Sequence, residues 1–371
     1  MTYDTPPTPQ AVGPDPRAAT DSSAPAAAVA PGTAVPAAMP ADPSRPARGR
    51  AAPVVEYDRV PWKRVGLYCV IAYAFLAICA APFWFLREGI AHPLFTPLIG
   101  LGMFGPLIAS LIVTKAVEKT SWRTRVGLRF RGRWKTLLLW SVAAVVIVLA
   151  VNALGVLISG LRGVPLSLTD GYAIRTAAQQ ISEKAGQTIS PTMMLVITLV
   201  QVPIGLIITT VLTFGEEVGW RGWLWPALKP IGRVRATLVG GVIWGLWHLP
   251  ILVIGYNYPG VSRWIAIPMF LVFCTAMAAL LGAITDRAGG SPIPAAWAHG
   301  TLNSTATLFW TLFATAQTAA HVSTLIDTLL GAIGIVMLLG VGAALMPWRT
   351  RLPAGAALPS YDPGERGALR G

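Results

Sequence analysis

Apolar stretches of about twenty residues, separated by short polar loops, follow one another from Trp62 onward. A helix of that length crosses the hydrocarbon core of a bilayer. Lipid offers the backbone no hydrogen-bond partners, so an open segment can satisfy its own amide groups there only as a helix. The predicted spans lie near residues 65–86, 94–114, 136–159, 192–214, 237–256, 264–285, 292–313 and 323–346. We therefore predict an all-α polytopic membrane protein of about eight transmembrane helices.

The composition supports this fold class and argues against nucleic acid as a partner. Of the 371 residues, 54% are hydrophobic and 12% are charged, whereas soluble domains average about 25% charged residues. The formal net charge is +13, but the basic residues occupy short loops and form no basic helix or patch with interleaved aromatic residues. Membrane lipid is therefore the predicted partner, and nucleic acid is not.

The basic residues also predict the orientation in the membrane. The most basic loop lies between the second and third spans and contains Lys115, Lys119, Arg123, Arg125, Arg129, Arg131, Arg133 and Lys135. An even number of spans places this loop on the same side as Arg349 and Arg351, which follow the last span. By the positive-inside rule, we expect both termini in the cytoplasm and the protein in the plasma (inner) membrane.

Three segments are predicted along the chain. Residues 1–55 are rich in Ala and Pro and almost lack large apolar side chains, which predicts a disordered cytoplasmic tail. Residues 60–348 form the transmembrane domain, with a motif-bearing core at 192–313, and residues 349–371 form a short cytoplasmic tail. The outer loop before the fourth span is predicted to contain an amphipathic helix around Ala173–Lys184.

Two adjacent carboxylates follow the fourth span, where the sequence reads Glu216-Glu217-x-x-x-Arg221. An ionisable residue at membrane depth is costly and marks a functional site by default. If the helix continues to Leu228, Glu217 and Arg221 lie one turn apart and form an ion pair. Glu216 is rotated by about 100°, so we predict a free carboxylate suited to acid–base chemistry. An ordinary interfacial salt bridge explains these residues equally well.

Two further polar pairs lie in the fifth and seventh spans. His248 follows Trp244 by one turn near the middle of the membrane, and Asn303 follows His299 by one turn. An imidazole N–H and an amide N–H on one helix face can together hold a developing oxyanion. Each pair also fits a hydrogen bond between neighbouring helices, so the residues alone leave both interpretations open.

The three clusters occur in one order, as Glu-Glu-x-x-x-Arg, aromatic-x-x-x-His and His-x-x-x-Asn. In this order they resemble the signature of the CPBP family of intramembrane proteases, which includes type II CAAX prenyl endopeptidases and bacteriocin-processing and abortive-infection proteins. The resemblance covers about residues 192–313. Trp244 departs from the family pattern, which usually has Phe there. Because an aromatic side chain is kept, we interpret Trp244 as a packing residue that supports the site.

The resemblance implies a membrane endopeptidase whose site opens from the cytoplasmic side. Glu216 with His248 would polarise the attacking water, and His299 with Asn303 would stabilise the oxyanion. The implied substrate is a peptide or protein segment that reaches the site from the membrane or from the cytoplasm.

The resemblance also implies that Glu217 and Arg221 brace the site. Glu216, His248 and His299 would suffice to hold Zn²⁺ with water in the fourth position. A metal-free mechanism that depends on the glutamate needs the same three residues. The sequence does not separate these two cofactor hypotheses, and we favour the metal-free form.

Two other functions fit the same polar residues. A transporter would use them as a proton relay or an ion site, but the sequence lacks the internal repeat common in transporters. A non-catalytic membrane scaffold or immunity protein would use them only for binding. The peptidase is the preferred hypothesis, because a scaffold would not need Glu216 to be free of Arg221.

Overall fold

The protein, seen in a computed structural model, is described over residues 57–129 and 132–347. Within these ranges the regular secondary structure is helical, apart from an isolated β-bridge. The predicted all-α fold class is therefore confirmed. The tails predicted at residues 1–55 and 349–371 lie outside the described residues, as does Arg131 of the basic loop.

The helices follow one another with short connections. In chain order the α-helices are α1 (Trp62–Ala80), α2 (Pro82–Phe85), α3 (Phe95–Gly102), α4 (Gly105–Ile112), α5 (Trp122–Arg125), α6 (Trp134–Leu161), α7 (Tyr172–Ala185), α8 (Pro191–Glu217), α9 (Trp225–Leu228), α10 (Arg233–Trp247), α11 (Leu249–Leu252), α12 (Arg263–Arg287), α13 (Ile293–Thr305), α14 (Leu308–Phe313), α15 (Thr318–His321) and α16 (Ala332–Leu345). Two π-helical segments, Val113–Glu118 and Val218–Leu224, continue α4 and α8. Two 3₁₀ turns cover Gly89–Ala91 and Lys229–Ile231.

Several of these helices are long and apolar enough to cross a membrane. In the described part of the chain there are five such stretches: Trp62–Ala80, Phe95–Glu118, Trp134–Leu161, Pro191–Ile231 and Arg263–Arg287. They correspond to the first four predicted spans and to the sixth. The chain is therefore a membrane protein whose helices cross the bilayer several times.

The fifth and seventh predicted spans are interrupted helices. The fifth divides into α10 and α11 around His248, and the second residue of α11 is Pro250. Proline has no backbone N–H, so it cannot continue the hydrogen-bond ladder of α10. The seventh divides into α13, which ends at Thr305, and the short helix α14. Both interruptions lie close to residues that were predicted to be functional.

The eighth predicted span begins later than expected, at Ala332, because polar turns precede it. The Asp327 carboxylate accepts hydrogen bonds from Arg162 Nε and Nη2 at 3.1 and 3.0 Å and from the Ser323 amide at 2.9 Å. Burial raises the pKa of Asp327, but these hydrogen bonds lower it by more, so the pKa lies below its usual range. This charged turn ties the end of α6 to the start of α16.

The amphipathic helix predicted in the outer loop is confirmed as α7, which covers Tyr172–Ala185. Its apolar face packs on the start of α8, where Ile174 and Ala178 contact Met194. Because this face is covered by α8, the helix is part of the folded domain.

Glycines bring together the helices that carry the predicted site. α13 packs against α8, and α10 packs against α12. A Cβ atom added at Gly300 of α13 would lie 2.4 Å from Thr210 Oγ1, and one added at Gly241 of α10 would lie 2.4 Å from the Thr275 Cα. Only glycine allows backbones to approach this closely. These two contacts set the distances between the helices that carry the polar clusters.

One end of the helix bundle is rich in basic residues. Arg133, which precedes α6, donates to the Gly289 carbonyl after α12 at 2.6 Å. Asp286 near the end of α12 forms ion pairs with Lys229 and Arg233. We call this end, where α12 finishes and α6 and α10 begin, the basic end.

The opposite end of the bundle is held by fewer charges. The Arg162–Asp327 ion pair lies there, and the Trp84 indole donates to a carbonyl of α11 at 2.7 Å. The Tyr258 hydroxyl donates to the Leu330 carbonyl at 2.8 Å. We call this end, where α6 and α11 finish and α12 begins, the opposite end.

Candidate active site

The helix that carries the two predicted glutamates continues beyond them to Leu228, as the sequence predicted. After Glu217 it changes to the π-helical segment Val218–Leu224, in which every residue is buried. Such π-helical turns inside α-helices occur frequently at functional sites. The glutamates therefore lie at a change of helical geometry within one continuous helix.

Glu217 is bound by two nitrogen-bearing side chains. Its Oε1 accepts a hydrogen bond from Arg221 Nη1 at 3.1 Å, and its Oε2 lies 3.1 Å from Arg221 Nε. His299 Nδ1 lies 2.9 Å from Oε1. Because a carboxylate only accepts hydrogen bonds, this nitrogen is the donor. The predicted ion pair is therefore present, and it is shared with a histidine of α13.

Glu216 meets different donors, although it is the adjacent residue. Its Oε2 accepts hydrogen bonds from the indole Nε1 of Trp244 at 2.8 Å and of Trp220 at 3.3 Å. No hydrogen bond from a described residue reaches its Oε1, and the side chain lines a cavity. Glu216 is thus held by neutral groups and, as predicted, is free of Arg221.

Trp244 contacts three members of the site. Besides its hydrogen bond to Glu216, the Arg221 guanidinium lies 4.3 Å from its ring centroid, and the His299 ring packs edge-on at 5.2 Å. The sequence predicted packing, but the hydrogen bond is an addition that Phe could not make. Trp220 is a site residue that sequence reasoning missed. It follows Glu216 by one turn, which is the same spacing that identified the ion pair.

His248 directly follows the last residue of α10 and is half-buried. Its Nδ1 lies 2.9 Å from the Trp244 carbonyl oxygen. A carbonyl only accepts, so Nδ1 carries the proton and Nε2 is an acceptor in the neutral ring. The rings of Trp247 and Phe270 pack edge-on against the imidazole with centroid distances of 4.7 and 4.8 Å. The imidazole therefore has one fixed orientation and one favoured tautomer.

Glu216, His248, His299 and Asn303 line one cavity of about 370 Å³. Asn303 is exposed, and its side-chain amide makes no hydrogen bond to another described residue. The apolar part of the cavity wall includes Ile99, Met103, Leu212, Phe270, Phe273 and Met277. The structure therefore brings the four residues predicted as catalytic to one polar patch in an otherwise largely apolar cavity.

The three candidate zinc ligands do not form a metal-binding group. Across residues 57–129 and 132–347, no three His, Cys, Asp or Glu side chains are arranged so that they could hold a metal ion. Glu216 Oε2 already accepts two indole N–H groups, and the His299 Nδ1 already donates to a carboxylate. A zinc site composed of Glu216, His248 and His299 is therefore not supported by these positions.

Comparison with known proteins agrees with the motifs. Residues 188–305, which contain all of the candidate site residues, match the family model described as type II CAAX prenyl endopeptidase Rce1-like. The curated protein "CAAX prenyl protease 2" of Methanococcus maripaludis is 31% identical over 75 residues, or 19% of this chain and 27% of the relative. The match thus spans about a quarter of the relative's length. The family resemblance carried by the three motifs is confirmed for this part of the chain.

Replacing Glu217 by Ala is expected to destabilise the protein by about 3–5 kcal/mol, the usual cost of removing one partner from a buried ion pair. Arg221 would lose its counter-charge, and His299 would lose its hydrogen-bond acceptor. Thermal unfolding in detergent micelles measures the loss as a lower Tm. Glu183→Ala, at an exposed position of α7, is the matched control and is expected to stay within about 0.5 kcal/mol of wild type. Equal stability of the two variants would contradict the assigned ion pair.

Proposed function

We propose that the chain is an intramembrane endopeptidase that hydrolyses a peptide bond with a water molecule activated by Glu216 and His248. The observation that carries the proposal is the different environment of two adjacent carboxylates. Glu217 is neutralised by Arg221, whereas Glu216 is held by indole N–H groups on a cavity wall. A scaffold stabilised by one ion pair has no need of a second buried carboxylate. The family match over residues 188–305 supports the same activity.

Glu216 acts as the general base in the proposed reaction. Its Oε1 takes a proton from water while the water oxygen bonds to the carbonyl carbon of the scissile peptide. The C–N bond then breaks, and Glu216 returns the proton to the departing nitrogen. The products are a carboxylic acid and an amine, and the Glu216 carboxylate is regenerated. The two indole donors on Oε2 hold the carboxylate in one orientation during these steps.

His248 positions the same water molecule. Because its Nδ1 donates to the Trp244 carbonyl, its Nε2 is available to accept a hydrogen bond from water. Two acceptors, Glu216 Oε1 and His248 Nε2, orient both O–H bonds of one water. A lone pair of the water oxygen then points at the carbonyl carbon. Holding the water in this orientation before the reaction lowers the barrier to attack.

His299 and Asn303 stabilise the oxyanion of the tetrahedral intermediate. They lie one turn apart on α13, and both line the cavity. Asn303 donates through its amide. His299 donates through Nε2 when both ring nitrogens carry protons, since its Nδ1–H is bound to Glu217. Glu217 holds the ring through Nδ1, so the brace of the site also positions this oxyanion donor.

The proposed substrate is a peptide or protein segment. The apolar wall that includes Ile99, Met103 and Phe273 favours an apolar side chain beside the scissile bond. Membrane lipid surrounds the protein, and the reaction requires no nucleic acid. The polar patch of the cavity orients the peptide bond, while the apolar wall supplies most of the contact area.

Glu216→Gln is expected to abolish turnover and to leave folding intact. Glutamine keeps the shape of the side chain and still accepts the indole hydrogen bonds, but it cannot take a proton from water. Proteomics of membranes carrying wild type or Glu216→Gln would show new peptide ends only with wild type. Glu183→Gln, at an exposed position of α7, is the control that should retain activity.

Full activity of Glu216→Gln would show that the base is wrongly assigned. Equal peptide profiles for wild type and Glu216→Gln, at equal protein amounts, would favour a non-catalytic scaffold or immunity protein. Loss of proton-coupled solute uptake in vesicles carrying Glu216→Gln would instead favour a transporter.

Asn303→Ala is expected to lower kcat by about 10²–10³, which is the usual effect of removing one oxyanion donor. The Asn303 amide binds the carbonyl oxygen of the scissile peptide only after that oxygen becomes negative in the tetrahedral intermediate. The KM should therefore change little. Steady-state kinetics on a substrate peptide identified by proteomics measures both constants. A change confined to KM would make Asn303 a binding residue and would remove it from the oxyanion site.

Trp244→Phe is expected to lower kcat by about 10–100-fold, since a hydrogen bond to a charged group contributes about 1.5–3 kcal/mol. Phe keeps an aromatic face for Arg221 and loses the N–H that orients Glu216. Trp225→Phe removes a comparable indole hydrogen bond, to Asp286 at the basic end, and should leave kcat unchanged. If both variants behave alike, the Trp244 N–H does not position the base.

A further inference from the structure

A strained turn lies in the loop that follows α11. The Tyr258 amide donates to the Tyr256 carbonyl at 2.9 Å, which closes a three-residue γ-turn centred on Asn257. The φ angle of Asn257 is 65°, and a γ-turn whose central φ is positive is rare and strained. In the described part of the chain, Lys119 is the only other residue besides glycine with a positive φ. The backbone of Asn257 is therefore unusual in this fold.

Several hydrogen bonds hold the loop that contains this turn. Arg263 at the start of α12 donates to three carbonyls of the loop, those of Val253, Tyr258 and Val261. The side chain of Tyr258 is buried, and its hydroxyl donates to the Leu330 carbonyl at 2.8 Å. Backbone strain persists only where the surroundings hold it, and strained residues cluster at functional sites. The strain at Asn257 thus points to a function for this residue.

The same loop is bound to the short helix that begins beside His248. The Tyr256 amide donates to the Ile251 carbonyl at 3.2 Å, and the Ile251 amide donates to the His248 carbonyl at 3.0 Å. The Tyr256 ring also packs against Phe95 of α3, with 5.9 Å between ring centroids. Main-chain hydrogen bonds therefore fix the position of Asn257 relative to the histidine that is proposed to bind water.

Asn257 lines the cavity that contains Glu216 and His248, and it is half-buried. Its side-chain amide makes no hydrogen bond to another described residue. Thr209, another polar residue of the wall, is by contrast occupied, since its hydroxyl donates to the Gly300 carbonyl at 2.8 Å. Polar groups that are shielded from bulk water normally have hydrogen-bond partners. The amide of Asn257 is therefore available to a molecule that enters the cavity.

The cavity has room for a short stretch of peptide main chain. A sphere of about 370 Å³ is about 9 Å across, and an extended peptide advances about 3.3–3.6 Å per residue. Because only about three residues fit in that length, a peptide whose scissile bond meets Glu216 also comes within reach of Asn257. A carboxamide carries both N–H donors and a carbonyl acceptor, as a peptide group carries one of each. Asn257 can thus form two hydrogen bonds with one peptide group.

We propose that Asn257 binds the main chain of the substrate, with its carboxamide paired to a peptide group beside the scissile bond. The loop holds the carboxamide in place before the substrate arrives, so less conformational freedom is lost on binding. The role of Asn257 in substrate binding rests on the proposed peptidase activity, whereas its binding of a peptide main chain does not. Asn257 takes no part in the bond-breaking steps assigned to Glu216.

Asn257→Gly removes the carboxamide and keeps the turn, because glycine adopts a positive φ without steric cost. The KM is expected to rise about 10-fold and kcat to stay within about two-fold, since the lost hydrogen bonds are equally strong in the ground state and the transition state. Steady-state kinetics of the full-length chain in detergent micelles, on a peptide spanning a cleavage site found by proteomics, measures both constants. Asn257→Asp tolerates the same φ and lacks the N–H donors, so it should also raise the KM.

Lys119→Gly is the matched control, because it replaces the other side chain with a positive φ at a position outside the cavity. It should change neither constant. If Asn257 is present only because few residues tolerate its turn, Asn257→Gly will keep the wild-type KM, and that result would overturn the proposal. A lower kcat at an unchanged KM would reject it as well. Thermal unfolding shows whether each variant is folded, and Asn257→Asp gives the result if Asn257→Gly is not.

Peptide binding without turnover separates this proposal from the proposed function. The probe is a hexapeptide of alternating Leu and Ala, with fluorescein on its N-terminus and a C-terminal amide. Its binding to Glu216→Gln protein is measured by fluorescence anisotropy. Adding Asn257→Gly to this background is expected to weaken binding about 10-fold. Equal binding with and without Asn257→Gly, or no binding to either protein, would overturn the proposal.

The two readouts together distinguish the possible failures. Weaker binding with Asn257→Gly, combined with equal peptide ends for wild type and Glu216→Gln membranes, would retain the peptide-binding role and reject the peptidase. New peptide ends with wild type, combined with an unchanged KM and unchanged binding in Asn257→Gly, would retain the peptidase and reject the role of Asn257.

Discussion

The Glu217 carboxylate is fully buried, and its positive partner is Arg221, one helical turn away. The two side chains are 0% and 4% exposed. Because both residues belong to one helix, the pair forms as soon as that helix forms and does not depend on the docking of another span. His299 then joins the pair from α13. The local Glu217–Arg221 pair thereby fixes where the polar residues of α13 lie relative to α8.

The same pair explains why two adjacent carboxylates differ in chemistry. The guanidinium is occupied by Glu217, and Glu216, rotated around the helix, meets indoles instead. An indole N–H orients a carboxylate without cancelling its charge, so the group keeps its capacity to accept a proton. Trp244 connects the two environments, since its edge binds Glu216 while its face receives Arg221. In this site, therefore, Arg221 neutralises Glu217, whereas the indoles orient Glu216, the proposed base.

Interactions within one helix could be predicted from the sequence, and most interactions between helices could not. The ion pair and the continuation of the helix to Leu228 follow from local spacing. The Trp244–Glu216 hydrogen bond joins residues 28 positions apart, so no helical spacing in the sequence predicts it. Trp220 is the exception, because its spacing of one turn from Glu216 is a local signal that the sequence analysis did not use. The interruption of the fifth span was likewise visible in Pro250.

The charge of the loops and the shape of the cavity are independent properties. Loop charge is read during membrane insertion and says nothing about where a cavity opens. Trp223, which stacks on Tyr68, is fully buried whichever way the chain is inserted. The cavity with its four polar side chains is likewise the same in either orientation, so the chemistry proposed for Glu216 does not depend on the predicted orientation.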